Sequence, residues 1–368
     1  MNLDSLLRIM VAKGASDLHL RVNSFPHLRI NGELIPLAEF GKIGKEDSLM
    51  MAFSVMNNQQ KQRFRDTGEV DIGYGVKGLG RFRVNVFQQR GTVSVAIRSV
   101  LYRIPGFEDL YLPRALEKIA REPRGLVLVT GTTGSGKSTT IAAMINYINE
   151  HMTRHIITIE DPIEFLYTDR LSLISQREVS IDARSFGSAL RSALRQDPDV
   201  VLVGEMRDLE TIETALLAAE TGHLVFSTLH TVDSLETINR VISVFPAEQQ
   251  RQIRLQLAMV LRAVVSMRLI RRSDVAGRVP AVEIMLVTEY IRNCILEPDK
   301  TRLIREAIAA GTSQYGMQTF DQSIYEHYKT GRISYDDALS YATTPDEFKL
   351  RVQGIYTTRD SANEAMER

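Results

Sequence analysis

The run Gly125-Leu126-Val127-Leu128-Val129-Thr130-Gly131-Thr132-Thr133-Gly134-Ser135-Gly136-Lys137-Ser138 decides the fold of this chain. Gly125 to Val129 is a continuous apolar stretch, the pattern of a strand buried on both faces. Ser138 to Ile148 carries helical periodicity, and between the two Gly131 to Ser138 fits G-x-x-x-x-G-K-[ST]. A strand entering a glycine-rich loop and a helix leaving it aim backbone N–H groups and the positive end of the helix at one point, where phosphate binds. The segment Thr133, Gly134, Ser135, Gly136, Lys137, Ser138 and Thr139 is the expected cradle. Lys137 reaches the β and γ phosphates as a compact cation, and the Ser138 hydroxyl ligates the magnesium that bridges them.

Further strands of the same kind are expected at Ile156 to Ile159, Val200 to Val203 and Leu224 to Phe226, with helical patterns between them such as Leu209 to Glu220. Apolar strands alternating with helices predict an α/β domain with a parallel sheet covered on both faces. The C-terminal edge of such a sheet is where ligands bind, and acids gather there. Ile159 leads into Glu160-Asp161-Pro162-Ile163-Glu164, and Val203 into Gly204-Glu205-Met206-Arg207-Asp208. The strand-end aspartate of the usual second nucleotide motif is replaced by Gly204, so Glu205 is read as standing near the magnesium, partly through water. A lone glutamate is ordinarily a solvated loop charge; two clusters at strand ends beside a phosphate loop point to catalysis. His223 and His230 bracket Leu224 to Leu229, and a strand-end histidine can sense the γ phosphate by hydrogen bonding. The alternative for each is a capped, satisfied polar side chain.

The first hundred residues follow another pattern. Leu18, Leu20 and Val22 alternate with polar residues. Asn31-Gly32 sits between two short apolar runs as a hairpin turn, and Phe82, Val84, Val86 and then Val93, Val95, Ile97 alternate on either side of the turn Gln88 to Gly91. With helical patterns at Leu3 to Met10 and around Met50 to Phe64, this predicts a small α+β domain over 1–100. Arg81 and Arg83 share the strand face opposite Phe82 and Val84, and Arg98 has matching parity, so a guanidinium cluster is expected on an exposed face. It is either a solvated sheet surface or a set of charges for the γ phosphate held by a neighbouring copy. Residues 101–113, broken by Pro105-Gly106 and Pro113, read as a linker and hinge. The core is placed at 114–287 and a helical appendage at 288–368.

Composition bounds what remains. The 368 residues balance 45 Lys and Arg against 45 Asp and Glu, which lacks the basic field of a nucleic-acid-wrapping protein. The one cysteine, Cys294, forms no internal disulfide, and no run approaches the roughly 18 apolar residues of a membrane span. A soluble chain of the reducing cytoplasm is expected, with no nucleic acid and no direct membrane insertion. Disorder is expected only over the polar tail Thr357 to Arg368.

These motifs together resemble the secretion ATPase superfamily. The phosphate loop Gly131 to Thr140, the acidic box Ile159 to Phe165, Gly204 to Asp208, and the histidine box Thr221-Gly222-His223 to His230 look like its four signatures. Ser16-Asp17-Leu18-His19 and Gly316-Met317-Gln318-Thr319-Phe320-Asp321 extend the likeness over nearly the whole chain, which is most similar to the type IV pilus retraction ATPases, the PilT family. The resemblance implies a PAS-like N-terminal domain, a RecA-like core, a homohexameric ring, ATP and magnesium as cofactors, and an inner-membrane pilus platform protein as partner at the cytoplasmic face. It assigns Lys137 and Ser138 to phosphate and magnesium, Glu164 to the general base or water-positioning role, Glu205 to the magnesium shell, and His223 and His230 to nucleotide sensing. Glu160 stays open as the base. The retraction family's Ala-Ile-Arg-Asn-Leu element stands here as Tyr290-Ile291-Arg292-Asn293-Cys294, matching at its centre, which keeps the accessory paralogue PilU and a pilus assembly ATPase as alternatives. A RecA-like DNA translocase and a non-hydrolysing nucleotide-regulated scaffold are the rivals of other classes.

Overall fold

The computed structural model describes residues 2–30, 32–100 and 104–355. Asn31 of the expected turn, the linker opening Leu101 to Arg103 and the tail Thr357 to Arg368 lie outside the described residues. The chain forms two compact units, one from Met1–Arg103 with Pro162–Tyr167, the other from Ile104–Asp161 with Thr168–Arg368.

In the first unit the described strands are β1 (Asp17–Arg21), β2 (His27–Ile30), β3 (Glu33–Pro36), β4 (Glu69–Val76), β5 (Gly80–Gln89) and β6 (Thr92–Val100). They make an antiparallel sheet in the order β3-β2-β1-β6-β5-β4. Leu18, Leu20, Phe82, Val84, Val95 and Ile97 point to one face and are buried, together with Leu6, Leu7 and Met10 of the helix Leu3–Ala12. The helical region around Met50 to Phe64 is two helices, Lys45–Ser54 and Asn58–Thr67. The break follows from a capping box, in which the Asn57 side chain accepts from the Gln60 N–H and the Gln60 side chain from that of Asn57. Strand β4 carries a further period-two signal, Val70, Ile72 and Tyr74, in the sequence.

The second unit has a sheet in the order β13-β12-β7-β11-β10-β8-β9, from β7 (Gly125–Thr130), β8 (His155–Glu160), β9 (Leu173–Glu178), β10 (Val200–Val203), β11 (Leu224–Leu229), β12 (Leu261–Arg271) and β13 (Arg278–Leu286). The strands are parallel except β13, which returns antiparallel along β12. The expectation of a parallel sheet therefore holds with an antiparallel edge. Every side chain of β7, β10 and β11 is buried, as continuous apolar runs demand when helices cover both faces. Beyond β13 the described residues are mainly helical, from Glu289–Leu296 to Pro345–Val352, and Phe320, Ile324 and Phe348 pack on Ile270, Val279 and Ala281 of the β12–β13 hairpin.

Residues from Ile104 to Pro113, within the expected linker 101–113, fall in the second unit. Phe107 and Leu112 are buried, the Leu112 N–H donates to the Phe107 carbonyl, and the Phe107 ring lies 5.4 Å from Tyr147. Tyr111, held at a φ of 54°, lies between the Arg272 and Arg332 guanidiniums at 4.8 and 4.9 Å. The buried side chains of Phe107 and Leu112 dock this stretch despite its proline and glycine.

Candidate nucleotide-binding site

Strand β7 ends at Thr130 and the helix Lys137–His151 begins seven residues later, so the loop lies at the C-terminal edge of the sheet. Gly131, Gly134 and Gly136 have φ of 139°, 79° and 99°. A Cβ at 131 would stand 2.5 Å from the Met267 carbonyl oxygen and from Ser135 Oγ. Only glycine closes the loop in this way. Lys137 is 8% exposed, and its Nζ donates to the carbonyls of Gly131 at 2.7 Å and Thr132 at 3.0 Å. Its charge is thus folded into the loop it would serve. Ser135 is buried and its Oγ has no hydrogen-bond partner, a costly state for a hydroxyl unless an acceptor or donor arrives from outside. Ser138 is exposed on the first turn of the helix, with Thr139 beside it.

The fit to a nucleotide's terminal phosphates is therefore good on four counts: a left-handed glycine cradle, a buried ammonium, an orphan hydroxyl and a helix N-terminus. Ser138 and Glu205 are oxygen donors of the hard kind magnesium takes.

Sheet order decides which other residues approach the loop. β7 is flanked by β11 and β12, with Leu229 paired to Thr130 and Ser266 to Thr130 on the other side. β10 lies beyond β11, with Val203 opposite Ser227. His230, after β11, and Glu205, after β10, are thus brought to the same edge as the loop, and their side chains stand 3.7 Å apart. Glu205 is also 2.7 Å from Arg207, and its side chain is 19% exposed. A Cβ at 204 would lie 3.2 Å from the Ile159 carbonyl oxygen, a crowded contact, and the acid stands one residue on, at Glu205.

The acidic box divides between the units. Glu160 and Asp161 close β8 in the second unit, whereas Pro162–Tyr167 belongs to the first. Glu160 Oε1 accepts from Thr158 Oγ1 at 2.6 Å and Gln176 Nε2 at 3.2 Å. Glu164 is exposed between the buried side chains of Ile163 and Phe165. Arg81, Arg83 and Arg98 lie in the first unit. Arg83 and Arg98 are paired directly across β5 and β6, and Arg81 shares their face. Each of the opposed pair has an acid at hand: Asp17 is 2.8 Å from Arg98, Asp71 is 3.8 Å from Arg83.

His223 departs from expectation. It precedes β11, at the N-terminal edge of the sheet, while His230 follows β11, so the seven-residue span sets them roughly 23 Å apart. Its Nδ1 lies 2.9 Å from the Ala218 carbonyl, and its N–H donates to the same oxygen at 3.2 Å. It closes the C-terminus of the helix Leu209–Glu220 as a capped, satisfied side chain, and the fold keeps it from the phosphate loop of its own chain. Thr228 and the strand β12 carry no motif of their own in the sequence. Ser135, expected in the cradle as a loop residue, has its hydroxyl left without a partner by the fold, and the β12 residues reach the loop only through the sheet order.

A phosphate cradle at the C-terminal edge of a mainly parallel sheet, with an acid two strands away, defines an α/β P-loop fold. The profile of the family described as Type II/IV secretion system protein matches residues 6–333, and the chain belongs to that family. It is 44% identical over 352 residues to the type IV pilus retractation ATPase PilT of Pseudomonas aeruginosa, covering 95% of this chain and all of that one. It is 38% identical over 353 residues to the type IV pilus ATPase PilU of the same organism, covering 96% and 92%. Among solved structures, that of the pilus retraction motor PilT with bound ADP superposes with a TM-score of 0.88 at 45% identity, covering 94% of this chain and 98% of that one.

Proposed function

We propose that the chain is a magnesium-dependent ATPase, a subunit of a homohexameric motor that retracts type IV pili through an inner-membrane platform protein at the cytoplasmic face. The observation that carries this reading is the cradle of Gly131 to Ser138, with its buried Lys137 and orphan Ser135 hydroxyl, in a chain alike over nearly its full length to a PilT. A bound ATP with its magnesium supplies the phosphoryl group and the divalent charge. Lys137 gives up its carbonyl partners to meet terminal phosphate oxygens, Ser135 donates its hydroxyl, and Ser138 and Glu205 offer oxygens to the metal. Glu164 is the base or water-positioning carboxylate: it is exposed between the buried Ile163 and Phe165, whereas Glu160 Oε1 is held against Thr158 and Gln176. His230, beside Glu205, senses the terminal phosphate. Arg81, Arg83 and Arg98 neutralise charge on the nucleotide of another copy.

Two measurements test this. Phosphate release from ATP by the purified chain should require magnesium and fall sharply in Arg81→Ala; no release from the native chain would leave a nucleotide-binding scaffold, and full activity of the variant would remove the role in trans. Cells lacking the protein should be hyperpiliated and unable to twitch, while bald cells would mean assembly.

The accessory retraction role is a second reading, favoured by one observation. In Tyr290-Ile291-Arg292-Asn293-Cys294, Ile291 and Cys294 are buried and Arg292 is bound to Glu289 and the Ala258 carbonyl, so the packing of the element is kept. Tyr290, where the retraction family has alanine, is 55% exposed and changes the surface. Twitching restored by Tyr290→Ala but not by the native chain, in cells lacking their own retraction motor, would favour the accessory role.

A further inference from the structure

We propose that Thr228 is a positioning residue that fixes Glu205, and through it the magnesium response of the site. The inference rests on the reading of Glu205 as the acid that faces the metal. The ladder between β10 and β11 ends with Val203 opposite Ser227, and the chain then turns through Gly204-Glu205-Met206. Past the ladder's end, backbone groups need other partners. Thr228 supplies two. Its Oγ1 donates to the Gly204 carbonyl at 2.6 Å, and its own carbonyl accepts the Met206 N–H at 3.2 Å. On the other side the Gly204 N–H donates to the Ile159 carbonyl at 2.8 Å.

The peptide carrying Glu205 is therefore bolted on both flanks, and only one bolt is a side chain. Gly204 cannot hold the turn by itself, since glycine tolerates many backbone conformations, and a side chain there would be crowded by the Ile159 carbonyl. Thr228 is 7% exposed, so water does not substitute readily for its hydroxyl. Removing the hydroxyl leaves the Gly204 carbonyl short of a partner, and the peptide rotates to recover one. Glu205 then leaves the direction set by its contacts to His230 and Arg207. The phosphate loop, on β7, has no share in these bonds and keeps its grip on nucleotide.

Binding of a fluorescent ATP analogue to the full chain, titrated with magnesium and repeated in EDTA, tests this. Thr228→Val, which keeps the shape and loses the hydroxyl, should raise the magnesium concentration for half-maximal response about tenfold. Its affinity in EDTA should stay within about twofold of native, and Thr228→Ser should restore the native response. A native magnesium response in Thr228→Val, an equal loss with and without magnesium, or failure of the serine to restore would overturn the proposal. Glu205→Gln run in parallel separates the two levels. If it shifts the response and Thr228→Val does not, only the positioning role falls; if Glu205→Gln itself leaves the response unchanged, the assignment of Glu205 falls, and the role of Thr228 with it.

Discussion

Lys137 spends its charge on two carbonyls of its own loop, Gly131 and Thr132, at hydrogen-bond distance. Two such bonds are worth roughly 2 kcal/mol against water, so Lys137→Ala should lower stability by about that much yet still fold, while hydrolysis falls about 100- to 1000-fold, as for loss of a charge aimed at a transition state. Phosphate release and the heat-unfolding midpoint, measured on the same preparation, check both halves. Glu164 predicts a different phenotype, because nothing in the loop depends on it: Glu164→Gln should bind ATP as the native chain does and cleave it at least ~100-fold more slowly. Cleavage at the native rate in Glu164→Gln would move the base to Glu160 or Glu205.

At the scale of elements, geometry sets which substitutions the turns accept. Returning an aspartate to position 204, where nucleotide motifs usually carry one, should not improve the site. The new Cβ would press on the Ile159 carbonyl and the Glu160 backbone, so Gly204→Asp should lose about 1–2 kcal/mol of stability and gain no activity. The β5–β6 hairpin turns through Arg90 and Gly91, at φ of 50° and 69°, the pair of positive values that a two-residue turn of this hand requires. Arg90 is exposed and makes this turn at a steric cost, so Arg90→Asn should stabilise the chain by about 0.5–1 kcal/mol in denaturant melts.

Over the whole molecule, stability depends on pH through groups that the fold has withdrawn from water. His327 is buried, with Nε2 2.9 Å from the Pro280 carbonyl; burial lowers its proton affinity, and that hydrogen bond offsets the effect only in part. Its folded value is below the unfolded one, so the unfolded chain takes up more protons between them. Stability is therefore fully present above about 6.5 and is lost as pH falls below it toward the folded value. The unfolding midpoint should drop on acidification through that window, and His327→Gln, which keeps a donor for Pro280, should flatten the drop. A slope unchanged in His327→Gln would mean that another buried group carries it. Asp17 adds a loss at lower pH. Burial raises its carboxyl, but Ser16 and Arg98 together outweigh this and hold it below the usual range, so its contribution disappears as pH falls through that lowered value.

Local chemistry was written in the sequence. The loop Gly131 to Ser138 between an apolar strand and a helix, the strand-end acids, and the alternation that places Arg81 and Arg83 opposite Phe82 are one-dimensional patterns, because backbone sterics and side-chain periodicity act over a few residues. Which patterns would meet was decided only by the tertiary structure. The order of strands puts β11 and β10 beside the loop and gathers His230 and Glu205 there, while the direction of β11 carries His223 to the far edge. Burial of Phe107 and Leu112 packs residues 104–113 with the second unit, and the Ile159 carbonyl crowds a side chain at 204. These are contacts between residues tens of positions apart, fixed by hydrogen-bond register and close packing, and no short stretch of sequence encodes them.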